Sequence, residues 1–236
     1  GAGEWTTSML AYGNDNKIKK ISTVDTPYSL GAFYQAISRH LGFKLITGPG
    51  KLMGLASYGG RDSEEYKKMQ RLVRLTKKGG FELDMSYFSY HYTRKSGVSK
   101  KFEKTFGPSV KEPGNWNDQE KNVAAAAQRI VEDIFIHMAE YLKKTTQSKC
   151  LCIAGGVGLN SVANGLLVKS GLFDHYFIQP AAGDSGTSMG SGLLLNQHFL
   201  KRKRDYVMDT AFLGPGYCEL EYEQEIKRAG LPYIQS

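Results

Sequence analysis

Hydrophobic and polar residues follow two different periods along this 236-residue chain, which predicts a mixed α/β protein. Residues 4–12 and 17–24 are runs of strand-forming residues joined by a Gly-Asn-Asp-Asn segment at 13–16, and this order predicts a β-hairpin. The segment that starts at Pro27 has helical spacing, and proline is favoured in the first turn of a helix, so we expect a helix that begins at Pro27. Its apolar stripe contains Leu30, Phe33, Tyr34, Ile37 and Leu41.

The middle of the chain predicts helices of unequal length. Residues 47–60 form a glycine-bounded turn that leads into one or two helical turns, and residues 62–76 have the spacing of an amphipathic helix. Residues 81–92 predict short extended pieces. The longest helix is expected to begin at Asn117, because Glu120 follows at the spacing of a capping box, and its apolar stripe continues to about residue 144.

After the longest helix, a strand, a glycine turn and a helix follow one another twice. Residues 149–156 read as a buried strand that ends in glycines, and residues 158–171 read as a helix. Residues 175–180 predict a second strand, and a second helix is expected from about 185 to 203. In a parallel sheet, both turns lie at the edge where α/β proteins bind their ligands.

The two glycine turns place bare backbone at this edge. Gly155 and Gly156 in the first turn, and Gly183 and Gly186 in the second, remove side chains that would block a ligand. Helix N-termini offer unpaired N–H groups there, which favours phosphate. Asp184 would repel a phosphate unless a cation lies between them. Two interpretations stay open: a nucleotide and metal site, or a plain sheet in which Asp184 caps a helix.

The net charge of +8 is concentrated in three basic clusters, at 67–78, 93–104 and 201–204. A positive field favours anionic substrates and would suit nucleic acid. We interpret the clusters as a solvated helix face, a polar loop and a helix C-terminus, so we expect no nucleic-acid partner. No apolar run reaches the ~18 residues of a membrane span, and we expect no membrane contact.

Cysteine and histidine usage bears on compartment and metal binding. Cys150, Cys152 and Cys218 are an odd number, and the first two are a C-x-C pair on an apolar strand. We expect Cys150 and Cys152 to be free and buried in a reducing cytoplasm, which predicts a cytoplasmic protein. No two of the five histidines have metal-ligand spacing, and we interpret His137 as a core or boundary residue. Most ligands of any metal site would therefore lie outside this sequence.

Four motifs, in this order, resemble the O-carbamoyltransferase family. They are PYSLGAFYQAISRHLGFK (27–44), KLMGLASYGG (51–60), LCIAGGVGLNSVANG (151–165) and QPAAGDSGTSMGSG (179–192). The resemblance covers nearly the whole chain. GAGEW at 1–5 also resembles a D-G-x-G-E segment of the family, whose leading Asp would precede Gly1.

The resemblance implies the actin/Hsp70/sugar-kinase-like α/β fold, one of the ribonuclease H-like folds. Residues 1–210 would be mainly its second subdomain plus a hairpin from the first, truncated at the N-terminus. Residues 211–236 would be a linker toward a C-terminal domain that makes carbamoyl-adenylate from carbamoyl phosphate and ATP. The present domain would transfer the carbamoyl group to a hydroxyl of a small-molecule acceptor. The fragment alone is expected to be inactive.

The resemblance also implies roles for individual residues. Asp184 would be catalytic and would bind a divalent metal, with iron expected, together with an upstream H-x-x-x-H pair and an upstream Asp. GPGK at 48–51 stands where the family commonly has Glu, which leaves the role of its lysine open. The candidate cofactor-binding residues for ATP or carbamoyl-adenylate are Gly155, Gly156, Asn160, Gly183, Gly186 and Lys51.

Alternative functions stay open. A relative that places a threonylcarbamoyl group on tRNA would suit the charge of +8, although the SLGAFY and KLMGLASYG motifs argue against it. A non-catalytic nucleotide-binding domain of the same fold is the second alternative. A homodimer is open as well, and the sequence does not identify the acceptor.

Overall fold

The computed structural model describes residues 5–93, 97–232 and 234. The chain divides into two compact units, 1–202 and 203–236. The strands are β1 (Thr6–Asn14), β2 (Lys17–Asp25), β3 (Val73–Leu75), β4 (Phe81–Leu83), β5 (Cys150–Ile153) and β6 (His175–Ile178). The α-helices are α1 (Leu30–His40), α2 (Gly48–Ala56), α3 (Glu64–Gln70), α4 (Lys100–Phe106), α5 (Asp118–Thr146), α6 (Ser161–Lys169), α7 (Thr187–Leu194) and α8 (Glu219–Arg228).

These elements confirm the α/β class. The six described strands form three two-stranded sheets, β1–β2, β3–β4 and β5–β6. The finer assignment to an actin-like fold, and the boundary between residues 210 and 211, remain predictions. The second unit contains α8 within the segment expected to be a linker. No helix in the described residues combines the length and the apolar character that a bilayer crossing requires.

The N-terminal hairpin is confirmed, and the helix after it begins later than predicted. β1 and β2 are antiparallel, from Thr6 opposite Asp25 to Asn14 opposite Lys17. The first helix begins at Leu30, not at Pro27. Ser29 is its N-cap, because the Ser29 hydroxyl accepts a hydrogen bond from the backbone N–H two positions after Leu30 at 3.1 Å.

The predicted helix over 62–76 is wrong in its second half. α3 ends at Gln70, and the chain then forms the β3–β4 hairpin. The hairpin turn contains Gly79 with φ +69°, and the Gly80 carbonyl accepts a hydrogen bond from the Thr76 N–H at 2.9 Å. The apolar residues Val73 and Leu75 before this turn fit a strand as well as a helix. The two glycines favour the strand, because they mark a hairpin turn directly after it.

Helix α5 organises the main core of the first unit. Its capping box is confirmed: the Glu120 N–H donates to Asn117 Oδ1 at 2.9 Å, and the Asn117 N–H donates to Glu120 Oε2 at 2.8 Å. α5 packs against α1, α2, α3 and α6. His137 is half-buried, and its Nε2 lies 2.9 Å from the Thr76 carbonyl oxygen, which confirms a boundary position. Fully buried aromatic residues of this core include Phe33, Phe81, Phe88, Phe102 and Phe106.

The C-terminal part of the first unit confirms two strand–turn–helix repeats with shifted helix ends. β5 and β6 pair in parallel, from Cys150 opposite His175 to Ile153 opposite Ile178. α6 begins at Ser161 because a 3₁₀ turn occupies the residues before Asn160. The last helix of this unit ends at Leu194 and continues as one π-helical turn.

The predicted burial of Cys150 and Cys152 is wrong. Both are exposed thiols, and Cys218 is exposed as well. Side chains alternate along β5, so Leu151 faces the packed side of the sheet and the two cysteines face the other side. A strand of a parallel sheet is buried on both faces only where a second layer covers it, and the described residues place no such layer over the cysteine side.

Candidate functional site

The carboxyl ends of β5 and β6 carry the two predicted glycine turns side by side. Because the strands are parallel, both turns follow the same edge of the sheet. The Gly155 N–H donates to the Ala182 carbonyl oxygen at 2.8 Å, which joins the first turn to the second two residues before Asp184. The structure therefore brings together the turn regions that the sequence identified.

Two glycines in these turns are required by geometry. Gly155 has φ +102°, a conformation that L side chains rarely adopt. A Cβ on Gly186 would lie 2.2 Å from the Ala181 carbonyl oxygen, so a larger residue there would shift the turn. By contrast, a Cβ on Gly156 would meet no atom within 4 Å, so the backbone around it is open to a ligand.

Asp184 is exposed at the start of a 3₁₀ turn, Asp184–Gly186, that precedes α7. The N-cap of α7 is Gly186, and the N-cap of the 3₁₀ turn is Gly183. The interpretation of Asp184 as a helix cap is therefore wrong. In the part of the chain that the structure describes, its carboxylate accepts no hydrogen bond and forms no ion pair, which leaves both oxygens for a ligand.

Asn160 points into the protein instead of toward the open side of the turn. It is 5% exposed, and its Oδ1 accepts a hydrogen bond from the Ala163 N–H at 3.0 Å, which caps α6. Its side-chain amide also forms a reciprocal pair with Gln128 of α5. Asn160 Nδ2 donates to Gln128 Oε1 at 3.0 Å, and Gln128 Nε2 donates to Asn160 Oδ1 at 3.1 Å. Asn160 thus fixes the first glycine turn to α5. A contact between its side chain and a nucleotide stays a prediction.

Gln128 is the centre of a buried polar network that sequence reasoning missed. Its Oε1 also accepts from the Tyr34 hydroxyl at 2.8 Å, and its Nε2 donates to Glu132 Oε1 at 3.0 Å. Glu132, with 1% of its side chain exposed, pairs with Arg61. Burial raises the pKa of Tyr34, so the phenol stays protonated and donates. The signal available in the sequence was a Gln with a Glu four residues later inside an alanine-rich apolar stripe.

Lys51 is not brought to the glycine turns by any contact that the structure describes. It is exposed on α2, which packs against α1 and α5. The described residues also contain no group of three or more His, Cys, Asp or Glu side chains that could hold a metal ion. Asp184 therefore offers one metal ligand, and the cofactor role of Lys51 remains a prediction.

Comparisons with known proteins identify relatives of this chain. A family model described as the carbamoyltransferase N-terminus matches residues 1–193. The uncharacterized protein sll1178 of Synechocystis sp. is 35% identical over 96% of this chain and 37% of its own length. Nodulation protein NolO of Bradyrhizobium diazoefficiens is 31% identical over 91% of this chain and 37% of its own length. Nodulation protein NolNO of Sinorhizobium fredii is 27% identical over 96% of this chain and 32% of its own length.

The chain thus spans about a third of the length of these relatives, between 32% and 37%. The family model, in contrast, matches most of the chain, including both glycine turns and Asp184. The chain belongs to the carbamoyltransferase family, and its residues 1–193 match that family's N-terminal domain.

Proposed function

We propose that this chain is part of an O-carbamoyltransferase that moves a carbamoyl group from carbamoyl-adenylate to a hydroxyl of a small-molecule acceptor. The observation that carries the proposal is the pair of joined glycine turns with the exposed Asp184 carboxylate, in a member of the carbamoyltransferase family. Carbamoyl-adenylate would be made from carbamoyl phosphate and ATP elsewhere in the full-length protein.

The glycine turns would bind the adenylate part of the donor. Backbone N–H groups at the start of α6 and α7 favour a phosphate group. The open backbone around Gly156 permits its close approach. Since Gln128 fixes Asn160, the first turn is already held in place before a ligand arrives. Preorganised donors lose less free energy on binding than donors that must first be ordered.

Asp184 fits one ligand of a divalent metal in this site. Its carboxylate is exposed and is a hard oxygen donor of the kind that such cations take. When bound, the metal would supply Lewis-acid polarisation of the carbamoyl carbonyl and would offset the repulsion between Asp184 and phosphate. The remaining ligands would come from outside the described residues.

The transfer itself exchanges one C–O bond for another. The acceptor hydroxyl oxygen bonds to the carbamoyl carbon and gives up its proton to water, and the bond from that carbon to the AMP phosphate oxygen breaks. AMP then leaves with the electron pair of the broken bond. In this chain, the glycine turns would bind the phosphate, and the Asp184 carboxylate would lie beside it as one ligand of the metal.

The test is Asp184→Ala in the full-length protein, with both half-reactions measured. Formation of carbamoyl-adenylate should be unchanged, and transfer to the acceptor should fall by roughly a hundredfold or more, since Lewis-acid stabilisation supplies several kcal/mol. The matched control is Asp174→Ala, an exposed aspartate at the other end of β6. Transfer within about threefold of wild type in the Asp184 variant would reject the proposed role.

A further inference from the structure

The buried polar network around Gln128 has two ends whose hydrogen-bonding roles are fixed by chemistry. At one end, the Glu132 carboxylate, paired with Arg61, can only accept hydrogen bonds. At the other end, the Ala163 backbone N–H can only donate, and it donates to Asn160 Oδ1 at 3.0 Å. Between these ends lie the side-chain amides of Gln128 and Asn160, and an amide has a donor on one side and an acceptor on the other. The two fixed ends therefore decide which way both amides face.

Only one orientation of the Gln128 amide satisfies its neighbours. Its Nε2 donates to Glu132 Oε1 at 3.0 Å and to Asn160 Oδ1 at 3.1 Å. Its Oε1 accepts from the Tyr34 hydroxyl at 2.8 Å and from Asn160 Nδ2 at 3.0 Å. Both hydrogens and both lone pairs of the amide are thus used. The reversed amide would place its oxygen against the Glu132 carboxylate with no hydrogen between them, so Glu132 excludes that orientation.

The orientation of Gln128 determines that of Asn160. Because Gln128 Nε2 donates to Asn160 Oδ1, the same oxygen is available to accept from the Ala163 N–H and to cap α6. In a reversed Asn160 amide, Nδ2 would face the Ala163 N–H, and the cap would be lost. Three hydrogen bonds in sequence thus connect the Glu132 carboxylate to the N-terminus of α6, directly after the first glycine turn.

Arg61 supplies the counter-charge that allows a carboxylate to be buried at this place. The Glu132 side chain is 1% exposed and that of Arg61 is 54% exposed. Removing one partner of such a pair leaves an uncompensated buried charge, which is strongly destabilising. The backbone near Arg61 is fixed to α5 as well. The Arg61 carbonyl accepts from Arg129 at 3.2 Å, and the Gly60 N–H donates to Asn122 Oδ1 at 2.7 Å.

Three of the four sequence motifs contribute to this network. Tyr34 belongs to the first motif, Asn160 belongs to the third, and Arg61 directly follows the second. The two network members on α5 lie outside all four motifs. The motifs therefore share a structural task next to the first glycine turn, and the side chains of α5 connect them.

We infer that Glu132 is a positioning residue of the candidate site: its carboxylate, neutralised by Arg61, sets the direction of the Gln128 and Asn160 amides and so aligns the first glycine turn. The consequence for carbamoyl transfer rests on the proposed function, whereas the orientation of the amides does not. A side chain at position 132 that both donates and accepts would leave the direction open. Both amide orientations would then be populated, and α6 would be capped for only part of the time.

Glu132→Gln tests this inference, because it keeps the size of the side chain and removes the group that only accepts. In the full-length protein, hydrogen exchange of the Ala163 amide should become faster by roughly tenfold or more, since its cap is partly lost. Exchange of the Leu167 amide, one turn further along α6, should change by less than about threefold. General destabilisation would accelerate both amides equally. Equal acceleration, or unchanged exchange at Ala163, would overturn the inference.

The matched control is Asp133→Asn, at the next residue of α5. The Asp133 carboxylate accepts from the Tyr66 hydroxyl at 2.7 Å, outside the network around Gln128. This variant should leave the ratio of the two exchange rates as in the wild type. Glu132→Gln should also slow carbamoyl transfer by roughly tenfold, while the control stays within about threefold. Altered exchange with unchanged transfer would overturn the positioning role, whereas failure of the proposed function itself would appear in the Asp184→Ala measurement.

A measurement on the wild type covers the case in which Glu132→Gln fails to fold. Neutron diffraction from deuterium-exchanged crystals locates the deuterons of both side-chain amides. Deuterons on Gln128 Nε2 that point to Glu132 and Asn160 would support the inference. A Gln128 amide whose deuterons point to Tyr34 would overturn it.

Discussion

The core around α5 and the layer formed by β5 and β6 lie in one unit, yet they are packed to different degrees. The α5 core is a continuous cluster of buried residues that runs from Val24 to Ala163. The β5–β6 layer, residues 149–199, contributes three buried residues, Leu151, Leu167 and Phe173, to a second, small cluster. Its last helical segment leaves Leu194, Leu195 and Phe199 exposed. We therefore expect most of the free energy of unfolding to come from the α5 core, while the candidate site lies in the β5–β6 layer.

The buried polar network connects the two regions. Gln128 lies in the α5 core, and Asn160 begins the helix that follows the first glycine turn. The layer is thus held to the core by a few specific hydrogen bonds in addition to the small apolar cluster that includes Ala139 of α5. Three perturbations separate these contributions.

The largest effect is expected from a cavity in the α5 core. Phe102 is 0% exposed and packs against Phe106, with ring centroids 4.4 Å apart. Phe102→Ala should lower the free energy of unfolding by about 3–5 kcal/mol, measured by urea denaturation. The matched control is Phe177→Ala in β6, where the ring is 40% exposed and the cost should stay below about 1.5 kcal/mol. If both variants lowered the free energy of unfolding equally, the two regions would not differ in how much they contribute to stability.

The second effect concerns the network between the regions. Gln128→Leu leaves the amide of Asn160 and the hydroxyl of Tyr34 buried without their partner, which should cost about 2–4 kcal/mol. It should also weaken nucleotide binding, because the first glycine turn loses its anchor on α5. The control Gln119→Leu, on an exposed position of the same helix, should change stability by less than about 0.5 kcal/mol. A Gln128→Leu protein that binds nucleotide like the wild type would show that the network does not position the turn.

The smallest effect is a pH dependence that belongs to the α5 core. Burial lowers the pKa of His40 from 6.5 to about 4, although Glu103 acts in the opposite direction. The Ser109 hydroxyl donates to Glu103 at 2.6 Å, so its oxygen accepts from His40 Nδ1 at 3.1 Å, which fits the neutral ring. The unfolded chain binds a proton at higher pH than the folded chain does. This contribution to stability is therefore present above about pH 6.5 and is lost as the pH falls toward 4.

The loss should reach about 2–3 kcal/mol between pH 7.5 and pH 4.5, in urea denaturation at the two pH values. In His40→Gln, this part of the pH dependence should be missing. A variant whose stability falls with pH as steeply as that of the wild type would assign the effect to other groups.

The predictions that held rest on signals that are local in the sequence. The capping box of Asn117 and Glu120 spans three residues, and the hairpin turn at 13–16 spans four, so neither depends on distant parts of the chain. The parallel pairing of β5 with β6 followed from two strand–turn–helix repeats in succession. Both glycine turns were identified for the same reason.

The predictions that failed needed information from elsewhere in the structure. Cys150 and Cys152 were expected to be buried because the strand is apolar, but burial depends on a covering layer that a strand's own sequence does not reveal. Gln128 was missed because its partner Asn160 is 32 residues away. The β3–β4 hairpin was missed because three-residue strands are too short for hydrophobic spacing to separate them from a helix.

The reciprocal amide pair of Gln128 and Asn160 restricts how this sequence can drift during evolution. Each amide donates one hydrogen bond to the other and accepts one from it, so a change at one position removes two of the hydrogen bonds of its buried partner. The stability costs of substitutions at positions 128 and 160 are not expected to add, because residues in one hydrogen-bond network are energetically coupled. Substitutions at positions 128 and 160 are therefore expected to be coupled, so that a homologue that has lost one of these amides carries a compensating residue at the other.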